Sequence, residues 1–439
     1  MCYDSDFLNE KVAVVDHSCY KAFPKGEFAQ KKDRMTIIRI GERVPERRSV
    51  MNYVFISPHF PENFKYFVMS LRNHGVNVLG IASDNFDDLD ADLRDSLTEY
   101  YRVDNMEEYD QLLRACGYFT FKYGKIDYIE SMNEYWLEKE AHLRTDFNVD
   151  GLQLEDMPHI KKKSEMKKVF ERASIPVARG EIVIDFESAK KFIEEVGYPI
   201  CIKPDIGVGA ADTHQIANEE ELKEFFSIRQ PVDYIMEEFI VGDIHTFDGL
   251  VDKNGHILFL NSFVYGGVME TIRDELDNIY HNQVEIPDDL MEVGLRAVRA
   301  FDIRNRFFHL EFFRMEDNRL VALEVNMRPP GGWSLDMFNY ASDISVFDLY
   351  SKMILGLEYI VMPEIKYHCA FVGVKFGLEH ELKYSLDESL EKYGHMVAKH
   401  GPMPDIFSAV MGNYSYVIRS RDFDELMEAA QFITARNNN

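Results

Sequence analysis

Positive charge is scarce in this 439-residue chain: 49 Lys and Arg stand against 76 Asp and Glu, giving a formal net charge of −27 and a pI near 4.9. Binding to a nucleic-acid backbone rests on clustered Lys and Arg, so nucleic acid is not an expected partner. Cysteine is scarce too. The five, Cys2, Cys19, Cys116, Cys201 and Cys369, follow neither metal-ligand nor disulfide spacing, which points to a reducing, cytoplasmic setting. No uninterrupted apolar run approaches the ~20 residues of a membrane span, and no signal peptide is evident. Internal repeats and low-complexity tracts are absent apart from a short asparagine run at the C-terminus. The chain also lacks a Walker sequence and a dinucleotide fingerprint, because no helix start follows its glycines at the required spacing.

What is present is ordinary globular material, 46% hydrophobic, in a length that suits two or three domains. Residues 1–50, with ten basic and eight acidic residues and no clear periodicity, read as a poorly ordered N-terminal extension. From Met51 the pattern is strand (YVFIS), helix (ENFKYFVMSLRNHG), strand (VNVLGIAS), helix (EEYDQLLRACGYFTFKYG) and strand (IDYIES). That alternation predicts a small open parallel α/β domain over 51–150. Glu134 and Arg144, just behind its third strand, are candidates for a substrate wall, with a local salt bridge the favoured reading. Residues 151–362 form the main domain. Over 363–439, strands (YHCAFVGVKF, GNYSYVIRS) and helices (SLDESLEKYG, DFDELMEAAQFITARN) predict an α+β C-terminal cap. Its His395, His400 and Met403 have no ligand spacing, and its expected role is to cover the core or form a homodimer contact.

The chemistry concentrates in FFHLEFF, carrying Glu311, and LVALEVNMRPPGG, carrying Glu324, Asn326 and Arg328. A carboxylate on a mostly buried strand is costly unless it is paired or holds a metal. Two carboxylates and an amide oxygen form a hard ligand set suited to Mg²⁺ (or Mn²⁺) shared with nucleotide phosphates. Glu324 and Asn326, two apart, share one strand face, and Arg328 continues along it, where a guanidinium grips a carboxylate or phosphoryl group. His309 lies on the face of Glu311, as a base or as a buried structural histidine.

Upstream, YPICIKPDIGVGAADTHQI sets Lys203 at the end of an apolar strand before a loop with Gly207 and Gly209. Glycines let a backbone lie over phosphates, and a lysine supplies a point charge; alone, the segment also reads as a plain hairpin. YIMEEFIVGDIHTFDGLV has strand character on both sides of Glu237 and Glu238, and such a strand–turn–strand presents backbone groups to a purine edge or is an ordinary ribbon. KKKSEMKKVFERASIPVA reads as a basic helix followed by a Pro-bounded strand, and by composition alone as a solvated charged face.

In order and spacing these four segments resemble the ATP-grasp superfamily of carboxylate–amine ligases, over roughly residues 51–362. The resemblance implies an ATP-grasp fold, preceded by the small parallel domain and followed by the cap. It implies ATP as cosubstrate, with Lys163 and Lys203 on the phosphates and the loop from Gly207 through Gly209 and Ala210 to Ala211 as a lid. Glu237 matches the acidic position near the adenine amino group, and the backbones of Glu238 and Ile240 match the purine-edge contacts. Glu311, Glu324 and Asn326 match the metal triad, and Arg328 matches the residue facing the reacting carboxylate or acyl phosphate. Two departures stand out. Where the family often has a ribose-binding glutamate this chain has Ile244, which moves that contact to Asp243. The segment after Arg328, PPGGWSLDM, lacks the QVEH of biotin carboxylases and looks more like ligases that join amino acids, with Gly331 and Gly332 at the substrate.

The activity so implied is ligation of a small-molecule carboxylate to an amine through an acyl phosphate, releasing ADP and phosphate. Arg328 and Lys203 would be catalytic, and Arg273 is a candidate for a second substrate carboxylate. The alternatives are ATP-dependent phosphorylation or carboxylation of a small metabolite, or a non-catalytic ATP-binding subunit.

Overall fold

The computed structural model describes residues 37–38, 50–207, 212–266, 276–378 and 381–437. Contacts divide the chain into 1–36 and Ile37–Asn439, and all described residues belong to the latter. The expected N-terminal extension therefore lies outside the described residues, except for Val50 and for Ile37–Ile38, whose backbone pairs antiparallel with Tyr359–Ile360.

The first α/β unit comprises β1 (Asn52–Ile56), α1 (Lys65–Asn73), β2 (Asn77–Ala82), α2 (Ala91–Ser96), β3 (Glu99–Arg102), α3 (Tyr109–Tyr123), β4 (Tyr128–Glu130) and α4 (Leu137–Phe147). Its strands form a parallel sheet in the order β3-β2-β1-β4. Central β1 is buried along its length, which is why NYVFI reads as an almost continuous apolar run. Leu112, Ala115, Cys116 and Phe119 recur at helical spacing and turn one stripe of α3 into the core. The sequence reading omitted α2 and β3. EYYR has no apolar alternation, since the edge strand it forms is only half-buried.

Next come α5 (Met157–Lys161), α6 (Lys163–Arg172), β5 (Gly180–Ile182), α7 (Phe186–Val196), β6 (Ile200–Pro204), β7 (His214–Ile216), α8 (Glu219–Ile228) and β8 (Tyr234–Glu238). The strands make an antiparallel sheet, β5-β8-β6-β7, with α7 and α8 contributing to one apolar cluster with it.

The remaining elements build the large antiparallel sheet: β9 (Asp243–Val251), β10 (Ile257–Asn261), β11 (Phe263–Tyr265), β12 (Asn278–Asn282), α9 (Asp288–Ala300), β13 (Arg306–Arg314), β14 (Leu320–Asn326), α10 (Ser334–Ser342), α11 (Val346–Leu355), β15 (His368–Val374), α12 (Leu386–Tyr393), β16 (Val397–Pro402), α13 (Ser408–Met411), β17 (Tyr414–Ser420) and α14 (Phe423–Ile433). Strand order is β14-β13-β9-β11-β12-β15-β17-β16, with β10 on β9. This is the mixed α/β and α+β architecture expected. Two details differ from the sequence reading. The strands of the C-terminal cap continue the large sheet through β12–β15 pairing rather than forming a sheet of their own. The segment around Glu237 and Glu238 is not a ribbon: β8 belongs to the small sheet and β9 to the large one, so residues 239–242 cross between them.

A buried charge network ties the first unit to the large sheet. Arg144, fully buried, lies 2.9 Å from Glu130 and 3.0 Å from Glu140, and Arg306 at the start of β13 lies 3.1 Å and 3.4 Å from the same two carboxylates. Glu134 is likewise committed, to Lys161 at 2.9 Å. Both residues therefore sit in salt bridges, as favoured over a substrate wall.

Candidate functional site

The candidate site gathers residues of β6, β8, β13, β14 and the start of α6. Antiparallel pairing sets Glu311 of β13 directly across from Glu324 of β14, with a bulge just after Glu311. The two carboxylates face each other on half-buried positions. Burial and the negative charge of Glu311 push the Glu324 carboxyl up. Burial also pushes Glu311 up, but its hydrogen bond and charge interaction with His309 outweigh that and hold it low. His309 is clamped, its Nδ1 2.6 Å from Asp248 Oδ1 and its Nε2 2.9 Å from Glu311 Oε1. Burial draws the His309 pKa down, yet Asp248 and Glu311 together lift it to about 9. Of the two readings of His309, the structural one describes its contacts.

Asn326 stands beside Glu324, with Nδ2 donating to Glu324 Oε1 at 3.2 Å, while Arg328 Nη2 donates to Asn326 Oδ1 at 3.3 Å. Arg328 Nη1 donates to its neighbour's carbonyl, Pro329 O, at 2.9 Å. Rotating the Asn326 amide turns Oδ1 toward Glu324, the orientation a shared cation requires. Facing carboxylates that repel each other, plus an amide oxygen, fit a hard divalent cation such as Mg²⁺.

Two lysines converge on the same place. Lys163, first residue of α6, is buried, and its Nζ donates to Gly207 O at 3.3 Å. Burial lowers its pKa, and the neighbouring Lys203 charge adds to that, against the pull of Glu324. Lys203, buried on β6, pairs with Glu237 Oε2 at 2.7 Å, while Lys167 reaches Glu237 Oε1 at 2.6 Å. Burial favours the neutral form of Glu237, but the two ammonium groups win and hold its pKa at about 2. Asp205 fixes the start of α6, its carboxylate accepting from Ser164 N at 2.8 Å and Ser164 Oγ at 2.9 Å and its carbonyl from Lys163 N at 2.9 Å.

Each carboxylate oxygen of Glu237 meets a lysine, Oε1 Lys167 and Oε2 Lys203. The Glu238 amide donates to Arg179 O at 2.9 Å and its side chain pairs with Arg179 at 2.6 Å. Ile240 is half-buried in the crossing segment, and Asp243 is exposed at the start of β9. Gly209, Ala210 and Arg273 lie outside the described residues, as does most of the lid; Gly207 is described and exposed.

Beyond Arg328 the chain turns through Gly331 and Gly332 into α10. Asn63 of the first unit donates to Gly332 O at 3.2 Å and to Asp336 Oδ2 at 3.1 Å. Lys167, Asp205, Asp248 and Asn63 were all missed from the sequence. For Lys167 a signal existed: four residues after Lys163, it shares that helix face.

Residues 196–336 match the ATP-grasp domain family. A carbamoyl phosphate synthase large chain from Agathobacter rectalis is 23% identical over 230 residues, 49% of this chain, but the match spans only 20% of that much longer protein. An L-arginine-specific L-amino acid ligase from Bacillus subtilis is 22% identical over 316 residues, 68% of this chain and 74% of the relative. Among solved structures, N5-carboxyaminoimidazole synthetase from Staphylococcus aureus, complexed with ADP, shares the fold at a TM-score of 0.66, 16% identity, and coverage of 86% of this chain and 95% of that one. Among the described residues, no helix is long and apolar enough to cross a membrane.

Proposed function

This chain belongs to the ATP-grasp superfamily, and from that premise we propose that it is an ATP-dependent carboxylate–amine ligase, releasing ADP and phosphate. The observation that carries the reading is the cluster around the facing Glu311 and Glu324: the buried Lys163 and Lys203, whose charges reach these carboxylates, together with Asn326 and Arg328. A carboxylate is a poor electrophile at neutral pH, so its oxygen must first become a leaving group. Transfer of a phosphoryl group to it depends on positioning and charge neutralisation rather than on covalent help from protein. Lys163 and Lys203 supply fixed positive charge to the phosphates. Glu311, Glu324 and Asn326 would hold Mg²⁺, which would supply charge neutralisation at the phosphates.

Glu237, 2.7 Å from Lys203, holds the lysine ammonium in position ahead of nucleotide binding. Arg328 stabilises the acyl phosphate and the oxyanion formed when an amine attacks it, with backbone amides at Gly331 and Gly332 alongside. Glu238 and Ile240 offer backbone groups to the purine, and Asp243 faces the ribose. The domain division at 51–150, 151–362 and 363–439 belongs to this reading, with both substrates meeting ATP where the three parts adjoin.

The test is ADP release from Mg²⁺-ATP in the presence of pooled amino acids and small carboxylates, with mass spectrometry of the products and Glu324→Ala as control. A new mass equal to two substrates minus water, absent in Glu324→Ala, is expected. A phosphorylated or carboxylated product, or equal ADP release in the variant, overturns the reading.

A further inference from the structure

One face of the large sheet carries six polar side chains in register across three neighbouring strands. Pairing sets Thr246 of β9, Glu311 of β13 and Glu324 of β14 in one row, and Asp248, His309 and Asn326 in the next. Residues directly opposite one another, like residues two apart on a strand, project to the same face. A line of hydrogen bonds runs through these rows toward Glu311. The Phe263 amide, from β11, donates to Thr246 Oγ1 at 2.8 Å, and Thr246 Oγ1 donates to Asp248 Oδ2 at 2.5 Å. His309 then spans Asp248 Oδ1 at 2.6 Å and Glu311 Oε1 at 2.9 Å. Thr246 and Asp248 are 0% exposed and His309 5%, whereas the Glu311 side chain retains 21% of its surface. The line therefore starts in the core and ends on a partly exposed carboxylate.

A buried carboxylate such as Asp248 is costly to keep, and a fold that needs only stability at this point is served as well by apolar side chains. What Asp248 provides is direction. Its Oδ2 accepts from Thr246 and its Oδ1 faces Nδ1 of His309, so the imidazole cannot turn about its Cβ–Cγ bond without losing Asp248 or Glu311. The ring in turn engages Oε1 of Glu311, which restricts how that carboxylate can swing. Groups that hydrogen-bond a ligating carboxylate set its orientation, and losing one costs about 10–100-fold in metal affinity. Resting on the ligase reading above, in which Glu311 would hold Mg²⁺, we propose that Thr246, Asp248 and His309 are positioning residues for Glu311 and make the site selective for Mg²⁺ over Ca²⁺. Mg²⁺ accepts little departure from octahedral ligand geometry, while Ca²⁺ takes more ligands in flexible arrangements. A carboxylate held from the core suits the first ion, and one free to swing serves the second equally well.

The test reads binding rather than turnover. The full-length chain and its His309→Gln, Thr246→Val and Thr246→Ser variants are titrated in a calorimeter with a non-hydrolysable ATP analogue over a series of Mg²⁺ and, separately, Ca²⁺ concentrations, and the midpoint is taken for each cation. Glutamine carries its donors on one nitrogen and cannot span two carboxylates as the ring does; valine keeps the shape of threonine without its hydroxyl, and serine keeps the hydroxyl. The Mg²⁺ midpoint is expected to rise roughly tenfold or more in His309→Gln and by a smaller factor in Thr246→Val, with the Ca²⁺ midpoint little changed and Thr246→Ser at the wild-type ratio. A general loss of folding moves both cations together and leaves their ratio unchanged, so the ratio separates positioning from structural support. An unchanged ratio in either His309→Gln or Thr246→Val overturns the proposal and leaves the metal reading of Glu311 standing. Should His309→Gln fail to fold, Thr246→Val decides alone. Analogue binding by wild type that is indifferent to divalent cations removes the metal reading and the proposal together. Neither result depends on whether ligation is observed.

Discussion

Lys203 Nζ and Glu237 Oε2 lie 2.7 Å apart at buried positions, and Lys167 completes the arrangement from the other carboxylate oxygen at 2.6 Å. This makes Glu237 both a stabilising residue and the holder of Lys203, the lysine proposed to face the phosphates. Its pKa falls from 4.5 to about 2 on folding. A carboxyl with a depressed folded-state pKa contributes stability fully present above its unfolded value and lost as pH falls through the folded one. Its contribution, on the order of 3 kcal/mol, should therefore fade between about pH 5 and pH 2. Glu237→Gln should flatten the acid limb of a plot of urea midpoint against pH and raise KM for ATP. Parallel acid limbs in variant and wild type would mean that the pairing contributes nothing.

Glu324→Ala should behave in the opposite way for stability. On the proposed reading the substitution removes a metal ligand, so ADP release should fall by at least about a hundredfold, the cost of losing several kcal/mol of charge stabilisation. It also removes one of two repelling carboxylates, so the melting temperature should stay level or rise. Calorimetry without nucleotide, beside Mg²⁺ titration of the ATP complex, checks both. A large fall in melting temperature would assign Glu324 to folding instead.

Much of the site was legible because its residues lie close together on strands. Glu324, Asn326 and Arg328 follow the two-residue period of β14, and Glu311 needed only the pairing of two apolar runs. Lys163 and Lys203 were legible from segment order. What escaped came from contacts that no local pattern records. Asp248 reads as one more residue of an apolar strand, yet it closes on His309 from a neighbouring strand. Asn63 reaches the loop after Arg328 across a separation of 269 residues, and nothing near it announces a partner. The fold shows the same division: helices with a clear apolar stripe were evident, whereas the half-buried edge strand β3 lacked the alternation that would reveal it.

Gly332 tests how tightly the substrate loop is built. It has φ +61°, and a Cβ there would meet Met411 Cε at 2.4 Å. Gly332→Ala combines a disfavoured backbone with a clash, and should cost about 1–2 kcal/mol of stability while lowering turnover more than nucleotide binding. Adding Met411→Ala should relieve the clash and leave the backbone strain. Kinetics and melting curves of the single and double variants check this; full recovery in the double variant would show that sterics alone matter.

The network of Glu130, Glu140, Arg144 and Arg306 gives the sharpest stability prediction. Arg144 has no solvent exposure and is shared by two carboxylates, while Arg306 offers the same two a second cation from β13. Arg144→Met removes one charge of four and leaves two buried carboxylates with a single partner. Breaking such a pair costs about 3–5 kcal/mol, because the remaining charge is desolvated without compensation. A fall of that size in unfolding free energy is expected. The loss should also reach the active site, since Arg306 begins the strand that carries Glu311, so ATP-dependent turnover should fall even at temperatures where the variant is folded. Replacing Glu130, Glu140, Arg144 and Arg306 together by apolar residues of similar volume should recover much of the stability, as no charge is then stranded. Urea unfolding of the single and fourfold variants distinguishes the outcomes. A fourfold variant no more stable than Arg144→Met would mean that the network's geometry, rather than the stranded charge, sets the cost.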